Sequence, residues 1–152
     1  MDTSKDYIKM CESAEAIYKN PLQYHSGDYV YNKENWKVVI LYYSKYHGNP
    51  PFKYLDNKLS IWLPRQDQLQ EMVFKDRVCL HYQGRELIKD FYIFTHPEDG
   101  LEAMFIHSSI NKTISKKCGY ISQFTSMEQL WLAFVQKELY KKTWNGTDWV
   151  KD

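Results

Sequence analysis

The chain of 152 residues has next to no net charge: 20 Lys and Arg against 19 Asp and Glu leave a formal +1 at pH 7. That balance supplies no overall field to hold a nucleic acid or an anionic membrane, so either role would need a local patch. Cysteine is scarce. Cys11, Cys79 and Cys118 are odd in number and far apart, which argues against a disulfide framework and suits a reducing cytoplasm. Six glycines scattered singly cannot build a phosphate-cradling loop, and no Gly-x-Ser-x-Gly or Cys-centred signature is present. Long apolar runs are missing too. The longest, Leu130-Trp131-Leu132-Ala133-Phe134-Val135, is far shorter than the ~18 residues a bilayer span needs, so no membrane partner is expected. The polar start, Met1 to Asp6, leads into no apolar run of signal-peptide length, and the expected location is cytoplasmic. The Asn-x-Thr triplets at Asn111 and Asn145 are then coincidental.

Aromatics are abundant: they make up 16% of the chain, with thirteen Tyr and five Trp. Such side chains serve both cores and binding surfaces. The length fits one domain, with a division into two lobes at residues 1–63 and 64–152 left open. The expected class is α+β: strongly bent antiparallel sheet packed with three helices, at about 4–19, 64–74 and 126–142, and a C-terminal Trp-rich turn.

The sharpest local signal is Trp62-Leu63-Pro64-Arg65-Gln66-Asp67-Gln68-Leu69-Gln70-Glu71-Met72. A strand-like run stops at a proline, which the first helical position tolerates, and Asp67 suits the positive end of the helix dipole. Thr3 and Asp6 suggest a capping box for the first helix. Val30 lies in one strand, and Trp36 to Tyr43, apolar on both faces, reads as a central strand. Phe52 to Leu55 and Leu59 to Leu63 read as shorter strands. Leu87 to Thr95 against Leu101 to His107 reads as a hairpin around Asp99-Gly100, although Arg85 to Asp90 could be helical. Tyr120 to Phe124 reads as a strand. Ser126-Met127-Glu128-Gln129 is a capping box opening the most apolar helix. Trp144-Asn145-Gly146-Thr147-Asp148-Trp149 places two tryptophans around an Asn-Gly turn.

Chemistry is thinly signalled. Cys79 and His81 with His96, His107 or Cys118 give one ligand pair where structural zinc sites show two, so neither metal nor cofactor is expected. Paired carboxylates occur only at Glu98-Asp99 in a turn, which leaves a small hydrolytic enzyme as the weakest alternative. Lys112, Lys116 and Lys117 near Trp144 and Trp149 would suit a nucleic-acid module, though a solvated lysine face explains them equally well. The favoured binding group is Arg65, Gln66, Asp67 and Gln68 beside Trp62, where an Arg fork, amides and an aromatic face suit a protein surface or a small nucleotide. The apolar helix at 126–142 could cover its own sheet or a second copy, so a homo-oligomer stays open.

At Trp62 to Met72, and again at Ser126 to Val135 with Trp144-Asn145-Gly146 and Trp149, the chain resembles small uncharacterised accessory proteins of phages and prophages of Gram-positive bacteria. Tyr7 to Glu12 with Ala14-Glu15 is similar as well, whereas residues 78–117 match nothing of the kind. The second half is loosely similar to phage helix-strand-helix sandwich proteins, which implies an antiparallel sheet covered by two helices. The resemblance carries over no catalytic residue. It implies an accessory protein acting by binding inside an infected host cell, on a host defence protein or a signalling nucleotide.

Overall fold

The computed structural model describes residues 1–14, 17, 25–41, 59–76, 84–96 and 120–151. Helix α1, Lys5–Ser13, starts where the Ser4 hydroxyl accepts the Tyr7 N–H at 3.2 Å. Ser4, not Thr3, is therefore the cap, because a cap satisfies the N–H three residues on. Tyr7, Met10, Cys11 and Ala14 recur every three or four residues and are all buried. The helix ends at Ser13, short of the expected 19. Ala14 leaves helical angles (φ −84°, ψ 51°) and turns its N–H back to the Cys11 carbonyl.

Strands β1 (Tyr29–Asn32), β2 (Lys37–Ile40) and β3 (Ser60–Leu63) form an antiparallel sheet in the order β2-β1-β3. Val30 faces Val39 on one side and Trp62 on the other. Among the described strands β1, not β2, is central. β2 starts one residue later than expected, because Trp36 belongs to the turn, and the expected end at Tyr43 lies outside the described residues. The sheet begins at a bulge: the Gly27 N–H reaches the Leu41 carbonyl while the Leu41 N–H reaches the Asp28 carbonyl, so two residues oppose one. Gly27 has φ +93°, which a side chain would strain, although a Cβ there would meet nothing nearer than 3.9 Å. The expected strand at Phe52 to Leu55 lies outside the described residues.

Helix α2, Gln66–Asp76, buries Leu69 and Val73 against helix α4, Met127–Tyr140. It starts two residues after Pro64, so the proline precedes the cap instead of occupying the first turn. Between them lies α3, Gly84–Thr95, where the hairpin reading fails. Leu87, Phe91 and Phe94 share one face at helical spacing, and Phe91 and Phe94 meet the Phe134 ring. A period of two would have put Phe94 on the opposite face from Leu87 and Phe91. Residues 120–122 are helical and not a strand, whereas Leu101 to His107 lies outside the described residues.

Helix α4 is the centre of the fold: α1, α2, α3 and the C-terminal hairpin all touch it. The expected capping box is present. Ser126 Oγ accepts the Gln129 N–H at 3.1 Å, and Gln129 Oε1 accepts from the Thr125 N–H at 3.0 Å, one residue further back than the usual partner. A continuous run from Trp131 to Gln136 is buried, so the helix is covered all round. β4 (Lys142–Trp144) and β5 (Trp149–Lys151) pair Trp144 with Trp149 across four residues, not two. Asn145 Oδ1 accepts from both the Thr147 and Asp148 N–H groups and so sets the longer loop. One apolar cluster runs from Tyr7 through Ile61, Leu69 and Phe94 to Trp149. No helix among the described residues is long and apolar enough to cross a membrane. The class is α+β.

Asp2 ties two helix caps together. Its carboxylate accepts from Ser126 Oγ at 2.6 Å, Gln129 Nε2 at 2.8 Å and the Ser4 N–H at 2.7 Å. Burial by itself pushes this carboxyl up, but the hydrogen bonds from Ser126, Ser4 and Gln129 together outweigh it and hold the group below its usual 3.8. A folded-state value below the unfolded one adds stability that is present above about pH 4 and lost as pH falls through the lowered value. Urea midpoints taken between about pH 5 and pH 2 should therefore fall less steeply for Asp2→Asn than for the wild type. Parallel slopes would remove the carboxylate from this role.

Gln136 is fully buried, and among the described residues neither Oε1 nor Nε2 has a hydrogen-bond partner. An unsatisfied buried amide costs about 1–3 kcal/mol, whereas an apolar side chain of similar shape leaves nothing unpaired. Gln136→Leu is expected to raise unfolding stability by about 1–2 kcal/mol, read as a higher urea midpoint at unchanged slope. A destabilised variant would show that the amide is satisfied in solution.

Candidate functional site

The expected binding group, Arg65 to Gln68, sits where β3 hands over to α2. Arg65 is the residue before the helix, and its N–H is accepted by Gln68 Oε1 at 2.8 Å. The guanidinium spans Asp67, with Nε to Oδ1 at 3.1 Å and Nη2 to Oδ2 at 3.2 Å, while Nη1 donates to the Gly27 carbonyl at 2.9 Å. The hydrogen bond to Asp67 raises the Arg65 pKa further, and the same bond lowers that of Asp67. Beneath them lies Asp28, only 2% exposed, which sequence reasoning passed over. Its carboxylate accepts from Gln68 Nε2 at 2.6 Å and the His25 N–H at 2.7 Å, with Arg65 Nη1 at 3.6 Å. Tyr7 Oη donates to the Pro64 carbonyl and pins α1 to the same place. The group binds the bulge, the helix start and α1 to one another. Gln66 stands at the first helical position, half-buried, and has no part in these contacts.

Trp62, Trp144 and Trp149 are all buried. Trp149 Nε1 donates to the Met10 carbonyl at 2.9 Å, and the Trp144 and Trp149 rings lie 5.0 Å apart. Trp144 and Trp149 join the hairpin to α1, and all three indoles belong to the core, so the structure does not gather the expected residues into one surface.

The fifth tryptophan does the opposite. Trp36 is 80% exposed and has φ +59°. It closes the four-residue turn between Asn32 and Lys37, the last register pair of the hairpin. Asn32 Oδ1 accepts the Glu34 N–H at 2.8 Å and fixes the start of the turn, and Asn35 Oδ1 accepts the Lys37 N–H at 3.1 Å across Trp36. The left-handed region costs a bulky residue about 1–2 kcal/mol. Lys141, the other non-glycine residue with positive φ among the described residues, caps α4 with its N–H on the Gln136 and Lys137 carbonyls. Trp36 takes this conformation to close the hairpin turn, a position that asks for no large aromatic ring. The signal available in the sequence was Asn32 before the turn and Asn35 within it, which places the next residue, Trp36, at a position suited to Gly or Asn.

The two places lie at opposite ends of the sheet, separated by four residues of β1, about 13 Å. At the Trp36 end the Lys33 Nζ pairs with Glu12 Oε1 at 2.5 Å, holding the hairpin to α1. Glu34 and Lys37 are exposed and form no ion pair among the described residues. Cys11 is buried, and burial pushes its thiol far above the usual range, which suits packing and not nucleophilic chemistry. Among the described residues no cluster of His, Cys, Asp and Glu is placed to hold a metal. Cys79, His81, His107, Cys118 and the lysines at 112, 116 and 117 lie outside them. No protein-family model, curated protein or solved structure matches the chain.

Proposed function

We propose that the protein acts by binding a macromolecular partner through the hairpin tip at Trp36. The carrying observation is a large aromatic side chain that the fold exposes almost fully at a backbone conformation that disfavours it. Strain of that kind persists where the residue is kept for a contact outside the fold, and tryptophan is among the side chains that dominate interface energetics. The setting follows from the sequence resemblance: an accessory protein of a phage or prophage, acting in the host cell on a host protein such as a defence component. Capture of a signalling nucleotide at Arg65 is less supported, because Asp67 and the Gly27 carbonyl already occupy the guanidinium that would grip a phosphate.

Trp36→Gly separates strain from function. Glycine adopts φ +59° freely but gains entropy in the unfolded chain, so stability should be unchanged or up to about 1 kcal/mol higher. Binding should be lost. A photo-crosslinking amino acid placed at position 36 and expressed in the host is expected to give discrete products that one at exposed Ile88 does not. No crosslink from position 36 would remove the proposal, and a clear stability loss in Trp36→Gly would remove the strain argument for it.

A further inference from the structure

The charges around Trp36 distinguish between classes of partner. A nucleic acid or an anionic membrane is held by uncompensated positive charge, which releases counterions from phosphate or attracts the lipid surface. Among the described residues the tip has none to spare: Lys33 is taken by Glu12, and the remaining cation there, Lys37 at the start of β2, is matched by the anion Glu34 on the turn. One exposed indole beside one free charge of each sign is the composition of a protein hot spot, where an aromatic anchor fills a pocket and the polar rim fixes its orientation. We infer that the partner is a protein with an apolar pocket for the Trp36 indole, its rim presenting an anion to Lys37 and a cation to Glu34. This inference rests on the binding role proposed for Trp36.

The test uses the full-length protein and the protein identified by crosslinking from position 36, purified and titrated against wild type and variants. Trp36→Ala is expected to weaken binding by about 30-fold or more. Lys37→Glu and Glu34→Lys should each weaken it by about 3- to 10-fold, with the effect shrinking at high salt. Glu34→Lys carries the decision between partner classes, because added positive charge would tighten binding to any polyanion. An oligothymidylate and vesicles of phosphatidylcholine with phosphatidylglycerol serve as the polyanion probes, and neither should bind wild type at low salt. Their binding, tightened by Glu34→Lys, would overturn the inference while sparing a binding role for Trp36. Charge variants that bind the purified protein as wild type does would overturn the rim alone. No crosslinked product from position 36 would overturn the binding role itself, and the inference with it.

Discussion

Asp28→Ala is expected to lower unfolding stability by about 3 kcal/mol, a fall in Tm of roughly 6–12 °C for a chain of this size. Asp28 is 2% exposed and receives donors from three directions. Removing it strands the His25 N–H and the Gln68 amide and leaves the Arg65 charge beside an apolar methyl. Arg65 is partly open to water, which keeps the penalty below that of a fully buried orphan charge. Asn in place of Asp keeps one acceptor for two close donors, so about half of the loss should return. Arg65→Ala should cost less: its bonds to Asp67 are surface bonds that contribute about 0–1 kcal/mol, and although the Gly27 carbonyl loses its donor, Asp28 keeps its two close donors, Gln68 Nε2 and the His25 N–H. Urea unfolding of the three variants checks the order. A loss below about 1 kcal/mol for Asp28→Ala would show that bulge and helix start are not held through this carboxylate.

The second large effect concerns Phe134, fully buried on α4. Its ring meets Phe91 edge-on at 5.5 Å, Trp131 edge-on at 5.6 Å and Phe94 at 5.4 Å, while Phe91 stacks on Trp131 at 3.8 Å. Phe134→Ala is expected to cost about 3–5 kcal/mol from lost transfer energy and the cavity left behind, with ring-to-ring terms of about 0.5–1.5 kcal/mol per pair included in that loss. Phe134→Leu should cost about 1–2 kcal/mol, since it keeps most of the volume. Because rings on α3 join it to α4, amide exchange over Gly84–Thr95 should accelerate before that over Gln66–Asp76. Equal acceleration in both helices would mean that α3 unfolds only with the whole domain.

The predictions differ in how far the sequence alone would have reached them. The Ser126 capping box and the apolar run after it were legible, because a cap is a contact between residues three apart and a fully apolar helix has nowhere to go but the interior. The handover from strand to helix near Pro64 was legible for the same local reason. Leu87 to Thr95 was not, because a short apolar run carries too few positions to separate a period of two from one of 3.6 until Phe91 and Phe94 are seen meeting Phe134. Arg65 to Gln68 read as an exposed recognition group because sequence cannot show that Asp28, some forty residues earlier in the chain, lies beneath it.

The sequence by itself determined the α+β class, the Ser126 cap and buried character of α4, and the absence of a global charge to hold a polyanion. All of these depend on composition or on residues within a few positions of one another. Only the tertiary structure decided which tryptophans are core and which one faces solvent. Burial is a property of the packed neighbourhood, and five chemically identical side chains were divided four to one by it. Trp36 stands apart because Asn32 and Asn35 fix its backbone in a turn, where none of the described residues covers its ring.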